Sequence, residues 1–272
     1  MLRACAIAAV LLWLIGACSR APVEIVAVAT TTSVISSGLM DELQPLYMEA
    51  FHTSIRAIPV GSGRALRMLE ESQADAAITH APAQEAAMLG RHPAWRYRKV
   101  FYNRFVIVGP PSDPAGAAGA RDAADAMRRI AASSIRFVSR GDESGTHERE
   151  RQLWAAAGIT PAADRLVIAG AGMADTLRIA SETQSYTLSD ENTLHRLKAR
   201  LALRTVSAGD PVLLNTYAVI AEPGHVRGHA FAEWLSVGGR PRLEQILESG
   251  RLPGLFLWPE HRPHAAPSDL PF

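Results

Sequence analysis

The chain has 272 residues, 48% of them hydrophobic and 20% charged, enough apolar material for two modest domains with their own cores. Its formal net charge is +1, and its arginines are scattered rather than gathered into a basic stripe with interleaved aromatics. That excludes the electrostatic footprint of a nucleic-acid-binding protein.

At the start, Arg3 precedes an apolar run from Ala4 to Ala17, too short to span a bilayer in a mature protein but the length of a signal-peptide core. Residues 1–18 therefore read as an export signal, and the expected location is periplasmic or otherwise extracytoplasmic. The run ends Leu14-Ile15-Gly16-Ala17-Cys18, which is similar to the bacterial lipobox, where cleavage leaves a lipidated cysteine. Cys18 is then a lipid anchor; the competing reading is a plain secretory signal cut nearby. Cys5 and Cys18 are the two cysteines, so the remainder of the chain holds no disulfide.

After this leader, Glu24 to Ala29 reads as a buried strand running into four hydroxyls, Thr30-Thr31-Thr32-Ser33, taken as a polar turn. A helix follows, with Leu39, Leu43, Leu46, Tyr47 and Ala50 at helical spacing. The pattern repeats with a strand at Ser54 to Val60, a turn at Gly61-Ser62-Gly63 and a helix at Ala65 to Glu71. A third strand, Ala76 to Thr79, ends at His80 ahead of a helix opened by Pro82. Alternating units of this kind predict an α/β fold with a mostly parallel sheet, whose ligands sit beyond the carboxyl ends of the strands. Thr31, Ser62, Thr79 and His80 all fall there.

Tyr102 to Val108 is strand-like and ends in the breaker-rich Gly109-Pro110-Pro111-Ser112-Asp113-Pro114, where the chain is expected to cross into a second lobe. The alternation then restarts: helix Ala120 to Ala132, strand Ile135 to Val138, helix Thr146 to Ala157 stopped by Gly158, and strand Leu166 to Ile168. Gly170-Ala171-Gly172-Met173 opens another helix, Tyr186 to Leu188 is a strand, and Glu191 to Arg200 a helix. The run Asp210 to Ile220 carries the chain back, and helices at Val226 to Ser236 and Pro241 to Leu247 complete the first lobe. The expected division is residues 23–105 with 216–251 as lobe 1, 106–215 as lobe 2, and 252–272 as a tail. With five prolines and little periodicity, the tail is expected to pack loosely.

The most informative stretch is Ser139-Arg140-Gly141-Asp142-Glu143-Ser144-Gly145-Thr146-His147, set where a strand turns into a helix. Helix N-termini leave N–H groups without intrahelical partners and carry positive partial charge, so they suit oxyanions. Arg140 adds charge-assisted donors. A fully deprotonated tetrahedral dianion has four acceptor oxygens and wants donors but no carboxylates. Backbone N–H groups near Thr31, Ser62, Gly145 and Gly172, with the neighbouring hydroxyls, supply them. Phosphate, partly protonated near neutral pH, would want an acceptor as well, for which Asp142 or Asp190 is available. Each residue has a plainer reading. Thr30 to Ser33 would cap a helix, Ser62 would make a tight turn, and Arg140 would pair with Asp142 or Glu143 at the surface. Asp142 would cap or turn, His80 would finish a strand, and Met173 would pack.

Several segments, in order and spanning roughly residues 25 to 221, resemble the tungstate-binding proteins of tungstate ABC importers. They are Ala29 to Ser33, Val60 to Gly63, Thr79 to Pro82, Tyr102-Asn103 with Phe105 to Gly109, and Ser139 to His147. Gly170 to Met173 with Thr176, Tyr186 to Leu188, and Gly209 to Pro211 with Leu214-Asn215 complete the set. The resemblance implies a two-lobed periplasmic-binding-protein-like fold with two interdomain crossings and a ligand cleft. It implies capture of tungstate, or alternatively molybdate, sulfate or phosphate, for an ABC permease, with no cofactor, no metal other than that of the oxoanion, and a monomeric state. Thr31, Thr32 and Ser62 would then face Arg140, Ser144 and Thr146, with Gly172 contributing backbone. Arg64, which would add charge at the cleft edge, and Glu191-Asn192 depart from the expected pattern.

Enzyme readings are poorer. Gly141 to Gly145 is not a G-x-S-x-G elbow because the serine is one position late, and no phosphate-binding G-x-x-x-x-G-K-[ST] loop occurs. A hydrolase would use Ser144 with His147 and an orienting Glu148 or Glu150, side chains that crowd one helix. His225 and His229 lack a third zinc ligand.

Overall fold

The computed structural model describes residues 23–267; the expected leader and its Cys18 lie outside the described residues. The chain begins β1 (Glu24–Thr31), α1 (Thr32–Ser37), α2 (Leu39–Phe51), β2 (Thr53–Val60), α3 (Ser62–Glu70), β3 (Ala76–Thr79) and α4 (Pro82–Arg91). The long β4 (Arg96–Gly109) leads to α5 (Ala123–Ala132), β5 (Phe137–Ser139), α6 (Gly145–Ala157), β6 (Leu166–Ile168) and α7 (Met173–Glu182). There follow β7 (Tyr186–Asp190), α8 (Glu191–Leu197), β8 (Arg204–Ser207), β9 (Leu214–Ala221), α9 (Val226–Glu233), α10 (Arg240–Glu248) and β10 (Phe256–Leu257).

The strand order is β2-β1-β3-β9-β4-β7-β5-β6, with β8 and β10 also pairing with β4. Pairing is parallel where βα units repeat, in β2-β1-β3 and β7-β5-β6, and antiparallel where the chain crosses, at β3-β9, β9-β4 and β4-β7. The sheet is thus more mixed than simple alternation predicts. β4 belongs to both halves: Arg96 to Arg104 pair with β9, and Phe105 to Val108 pair with β7. The chain therefore changes halves inside a continuous strand and not in the breaker-rich joint after it. The first residues of that strand escape sequence reading because Arg96, Arg98 and Lys99 interrupt its apolar alternation.

Each half is an α/β lobe covered on both faces, as the strand period of two requires. In the first, Val26, Val28 and Val219 pack with Leu43, Phe231 and Trp234 on one face, while Ala29, Ala218 and Ile220 pack with Leu66, Leu69 and Met88 on the other. In the second, Phe105 and Ile107 face Met127, Ile130 and Trp154, and Val106 and Val108 face Met173 and Leu177. The tail packs more firmly than its prolines suggest. Leu252, Leu255 and Trp258 are buried, β10 pairs with β4, and Lys99 N–H donates to the His264 carbonyl.

Candidate functional site

The hydroxyl run after β1 is a helix start and not a turn. Thr31 is extended and its Oγ1 accepts the Val34 N–H at 3.4 Å, so α1 begins at Thr32. Thr30 Oγ1 donates to the Ile78 carbonyl and ties β1 to β3, while Thr31 Oγ1 and Ser33 Oγ lie 3.0 Å apart. The Gly61-Ser62-Gly63 turn is likewise the start of α3, with Ser62 as its first residue. On the other lobe Ser144 caps α6 by accepting the His147 N–H at 3.3 Å, and Gly172 precedes α7. An N-cap hydroxyl that accepts an N–H keeps its own O–H available to a ligand.

Cross-lobe contacts gather these helix starts. A Cβ on Gly61 would lie 3.0 Å from the Asp142 carbonyl oxygen, and one on Gly145 only 2.0 Å from the His80 carbonyl oxygen. Glycine at 145 is what allows α6 to approach the end of β3. Arg140 is 1% exposed, and its Nε donates to the Ala171 carbonyl at 2.9 Å and its Nη2 to Thr32 Oγ1 at 3.2 Å. Nη2 also bonds Asp142 Oδ2, and Nη1 lies 3.7 Å from Met173 Sδ. The Arg140–Asp142 pair thus has its guanidinium buried in the cleft, where the plainer reading of Arg140 would have put the pair at the surface. Asp142 Oδ1 accepts the Ser144 N–H. Burial alone would raise the Asp142 carboxyl, but the Arg140 charge and the Ser144 and Arg140 hydrogen bonds prevail and hold it low.

Ser62 and Thr146 are both fully buried, and Ser62 Oγ and Thr146 Oγ1 have no hydrogen-bond partner among the described residues. An unpaired buried hydroxyl costs about 1–3 kcal/mol, so two in one interface mark a place built for something else to satisfy. Contacts between the lobes join Thr32 to Arg140 and to Gly172, and Gly61 to the Asp142 that bonds Ser144; Thr31 and Ser62 adjoin the first-lobe residues of this seam, and Thr146 follows Gly145 on the second.

Other expectations change. Arg64 turns away to the surface, where it meets Glu71 and Gln73. Asn192, a departure in sequence, is buried beside Asn103, whose Nδ2 it accepts, and donates to the Pro253 carbonyl at 2.6 Å. His147 Nδ1 accepts the Glu143 N–H and is not turned to Ser144 as a base. Glu150 accepts the Arg140 N–H, and the Glu148 carboxylate reaches the other lobe. Asp190 caps α8 through Oδ1; its Oδ2 is buried without a partner among the described residues, and burial raises its carboxyl.

Sequence reasoning left His80 open and missed its partners. Ser33 Oγ and Asn215 Oδ1 each lie 3.0 Å from a ring nitrogen, Nε2 and Nδ1 respectively. Burial, reinforced by the Arg140 charge, pushes the ring down to about 4, so it is neutral at physiological pH. Asn103 and Asn215 are register partners in β4 and β9 and are hydrogen bonded at 2.7 Å, with Tyr217 OH on the same network. The signal available was a lone asparagine in each of two apolar strand runs, where that residue is normally depleted.

A family model described as a PBP superfamily domain matches residues 19–237. The chain is 38% identical over 216 residues to the tungstate-binding protein TupA of Peptoclostridium acidaminophilum, covering 76% of each chain. It is 32% identical over 207 residues to the tungstate-binding protein TupA of Campylobacter jejuni, covering 74% of this chain and 77% of that one. Among solved structures, the tungstate ABC transporter protein from Geobacter sulfurreducens superposes with a TM-score of 0.73 at 33% identity, over 83% of this chain and 98% of that one. The tungstate-binding protein TupA from Desulfovibrio alaskensis gives 0.66 at 34% identity, over 81% and 93%.

Proposed function

The chain belongs to the PBP superfamily, and from that premise we propose that it is a solute-binding protein that captures tungstate for delivery to an ABC permease. The relatives described by name as tungstate-binding support the ligand. The observation that carries the reading is the pair of unpartnered buried hydroxyls, Ser62 and Thr146, contributed by opposite lobes, with the buried Arg140 bonded across to Thr32. A tetrahedral oxyanion offers acceptors in four directions and would satisfy donors converging from both sides.

Charge compensation is local. Arg140 is already paired with Asp142, so a dianion is balanced chiefly by directed dipoles. The N-termini of α3, α6 and α7 each carry roughly half a positive charge, on the order of one and a half together. In this role Thr31, Thr32 and Ser62 donate from the first lobe and Arg140, Ser144, Thr146 and the Gly172 backbone from the second. Closure excludes water, so each donor acts at low dielectric. The protein works outside the cytoplasmic membrane, tethered through Cys18, as a monomer. No helix among the described residues is long and apolar enough to cross a membrane.

One observation keeps phosphate in the test: Asp190 Oδ2 is an uncommitted buried acceptor of the kind a protonated oxyanion requires. The hydrolase alternative loses ground. Ser144 and His147 are not aligned, and the Ser33–His80–Asn215 relay has the connectivity of a nucleophile, base and orienting group but a ring far too acidic for a base at neutral pH. Calorimetric titration of the chain from Ser19 onward with tungstate, molybdate, sulfate and phosphate tests the proposal. Tungstate is expected to bind well ahead of sulfate and phosphate. Heat from phosphate or sulfate alone keeps the receptor and overturns the ligand; ester turnover abolished by Ser144→Ala, without anion binding, overturns the class.

A further inference from the structure

Glu148 lies in the first turn of α6, yet its carboxylate is spent on the other lobe. Oε2 accepts the Gln84 side-chain amide at 3.0 Å and Oε1 accepts the Ala83 N–H at 3.3 Å, both in the first turn of α4. Gln152, one turn on in α6, approaches Oε1 at 3.4 Å. The side chain is 6% exposed. One carboxylate is thereby shared between two helix N-termini, one from each lobe, and is favoured by the positive end of both.

We propose that Glu148 is a positioning residue for anion capture: an interlobe latch that raises affinity by stabilising the closed arrangement without touching the anion. The inference rests on the cleft being an anion site that closes. Its carboxylate bonds none of the residues assigned to the ligand. The glycine approaches at 61 and 145 permit the lobes to meet but supply no side-chain bond. The Arg140–Thr32 bond also crosses the cleft but belongs to the binding locus itself. Each lobe has its own core on both sheet faces, so losing the latch acts on the closure equilibrium more than on either lobe. A receptor whose competent state is less populated binds every ligand more weakly by the same factor.

The test compares the wild type with Glu148→Ala and the milder Glu148→Gln. In calorimetry and stopped-flow mixing, Glu148→Ala is expected to lose about tenfold in affinity for tungstate and for molybdate alike, nearly all as faster release, with Gln intermediate. The tungstate-to-molybdate ratio and the melting temperature without anion should hold. Adding Gln84→Ala to Glu148→Ala should cost little more, since the two share one bond. Independently of any anion, spin labels at Ala86→Cys and Ala163→Cys should report longer interlobe distances in Glu148→Ala. Wild-type protein that binds no oxyanion refutes the anion reading, while the distance measurement still decides the latch. Unchanged distances, or a changed ligand ratio with unchanged release, overturn it.

Discussion

On the first lobe's side the cleft presents Thr31, Thr32, Ser33 and Ser62 with the neutral His80; on the second lobe's side Arg140, Asp142, Glu148 and Glu150 crowd one strand end and one helix turn. The first wall is uncharged. The second carries the buried Arg140 and Arg149 against several carboxylates, of which burial raises Glu150 to about 7. Neither wall is a positive patch. Discrimination in favour of an anion must then come from where donors point and from helix starts that cannot turn away, not from net charge.

The sharpest way to break this comparison is to remove Arg140 from the second wall. Arg140→Gln should abolish measurable tungstate binding in calorimetry, a loss of at least about a hundredfold, because it deletes donors and leaves Asp142 unpaired beside the ligand. Breaking a buried pair by removing one partner costs about 3–5 kcal/mol, so thermal unfolding should fall as well. Arg140→Gln with Asp142→Asn separates the two effects: stability should recover substantially and affinity only in part. Full recovery of affinity would mean that charge balance, and not directed donation, governs the site.

Next in size is the seam between the walls. Gly145→Ala places a methyl where the His80 carbonyl oxygen stands 2.0 Å away, so α6 must retreat from β3. Affinity should drop by roughly ten- to a hundredfold, while the anion-free protein melts no lower, since alanine is the better helix former. A lower melting temperature at unchanged affinity would show that the contact supports the fold and not closure.

A smaller effect tests the first wall's neutrality. His80 has a folded pKa of about 4, below its ordinary 6.5, so its contribution is present above 6.5 and is lost as pH falls towards 4. Glu85, buried among Thr79, Ala81 and Tyr97, is raised to about 7, so it favours the fold at low pH and loses that contribution as pH rises from about 4.5 to 7. Wild-type stability should reflect these opposing trends, with Glu150, also raised to about 7, on the side of Glu85. In His80→Gln the histidine trend is gone while those of Glu85 and the similarly raised Glu150 remain, and acidification from pH 7 to 5 should stabilise the variant relative to wild type by about 1 kcal/mol or more, read from melting curves. An identical pH profile would mean that the ring titrates alike in the folded and unfolded protein.

What could be read from residues alone follows the same division. The first wall is legible because its donors are consecutive in sequence: four hydroxyls after a strand, and a serine between glycines after the next. The second is legible at Arg140 and in its neighbour Asp142, but not at Glu148, because where that carboxylate reaches depends on the other lobe's position. The continuous β4 is obscured by its charged first residues, and the tail by its prolines, which hide the burial of Leu252, Leu255 and Trp258. The Asn103–Asn215 pair is non-local, and only the strand register makes it visible.

The smallest expected effect bears on whether charge belongs to one wall alone. Sequence proximity places Arg64 beside Ser62, and a guanidinium at the cleft mouth would draw anions inward. In the structure it follows the outer face of α3 to Glu71 at 3.7 Å and Gln73 at 3.2 Å, half exposed. An exposed pair of this kind is worth about 0–1 kcal/mol, and its field is cut off within about 8–10 Å at physiological salt. Arg64→Ala should therefore leave tungstate affinity within about twofold and the association rate nearly independent of the substitution at 0.15 M salt. A slower association that returns to wild-type behaviour at high salt would restore Arg64 to the cleft and give the first wall a cation of its own.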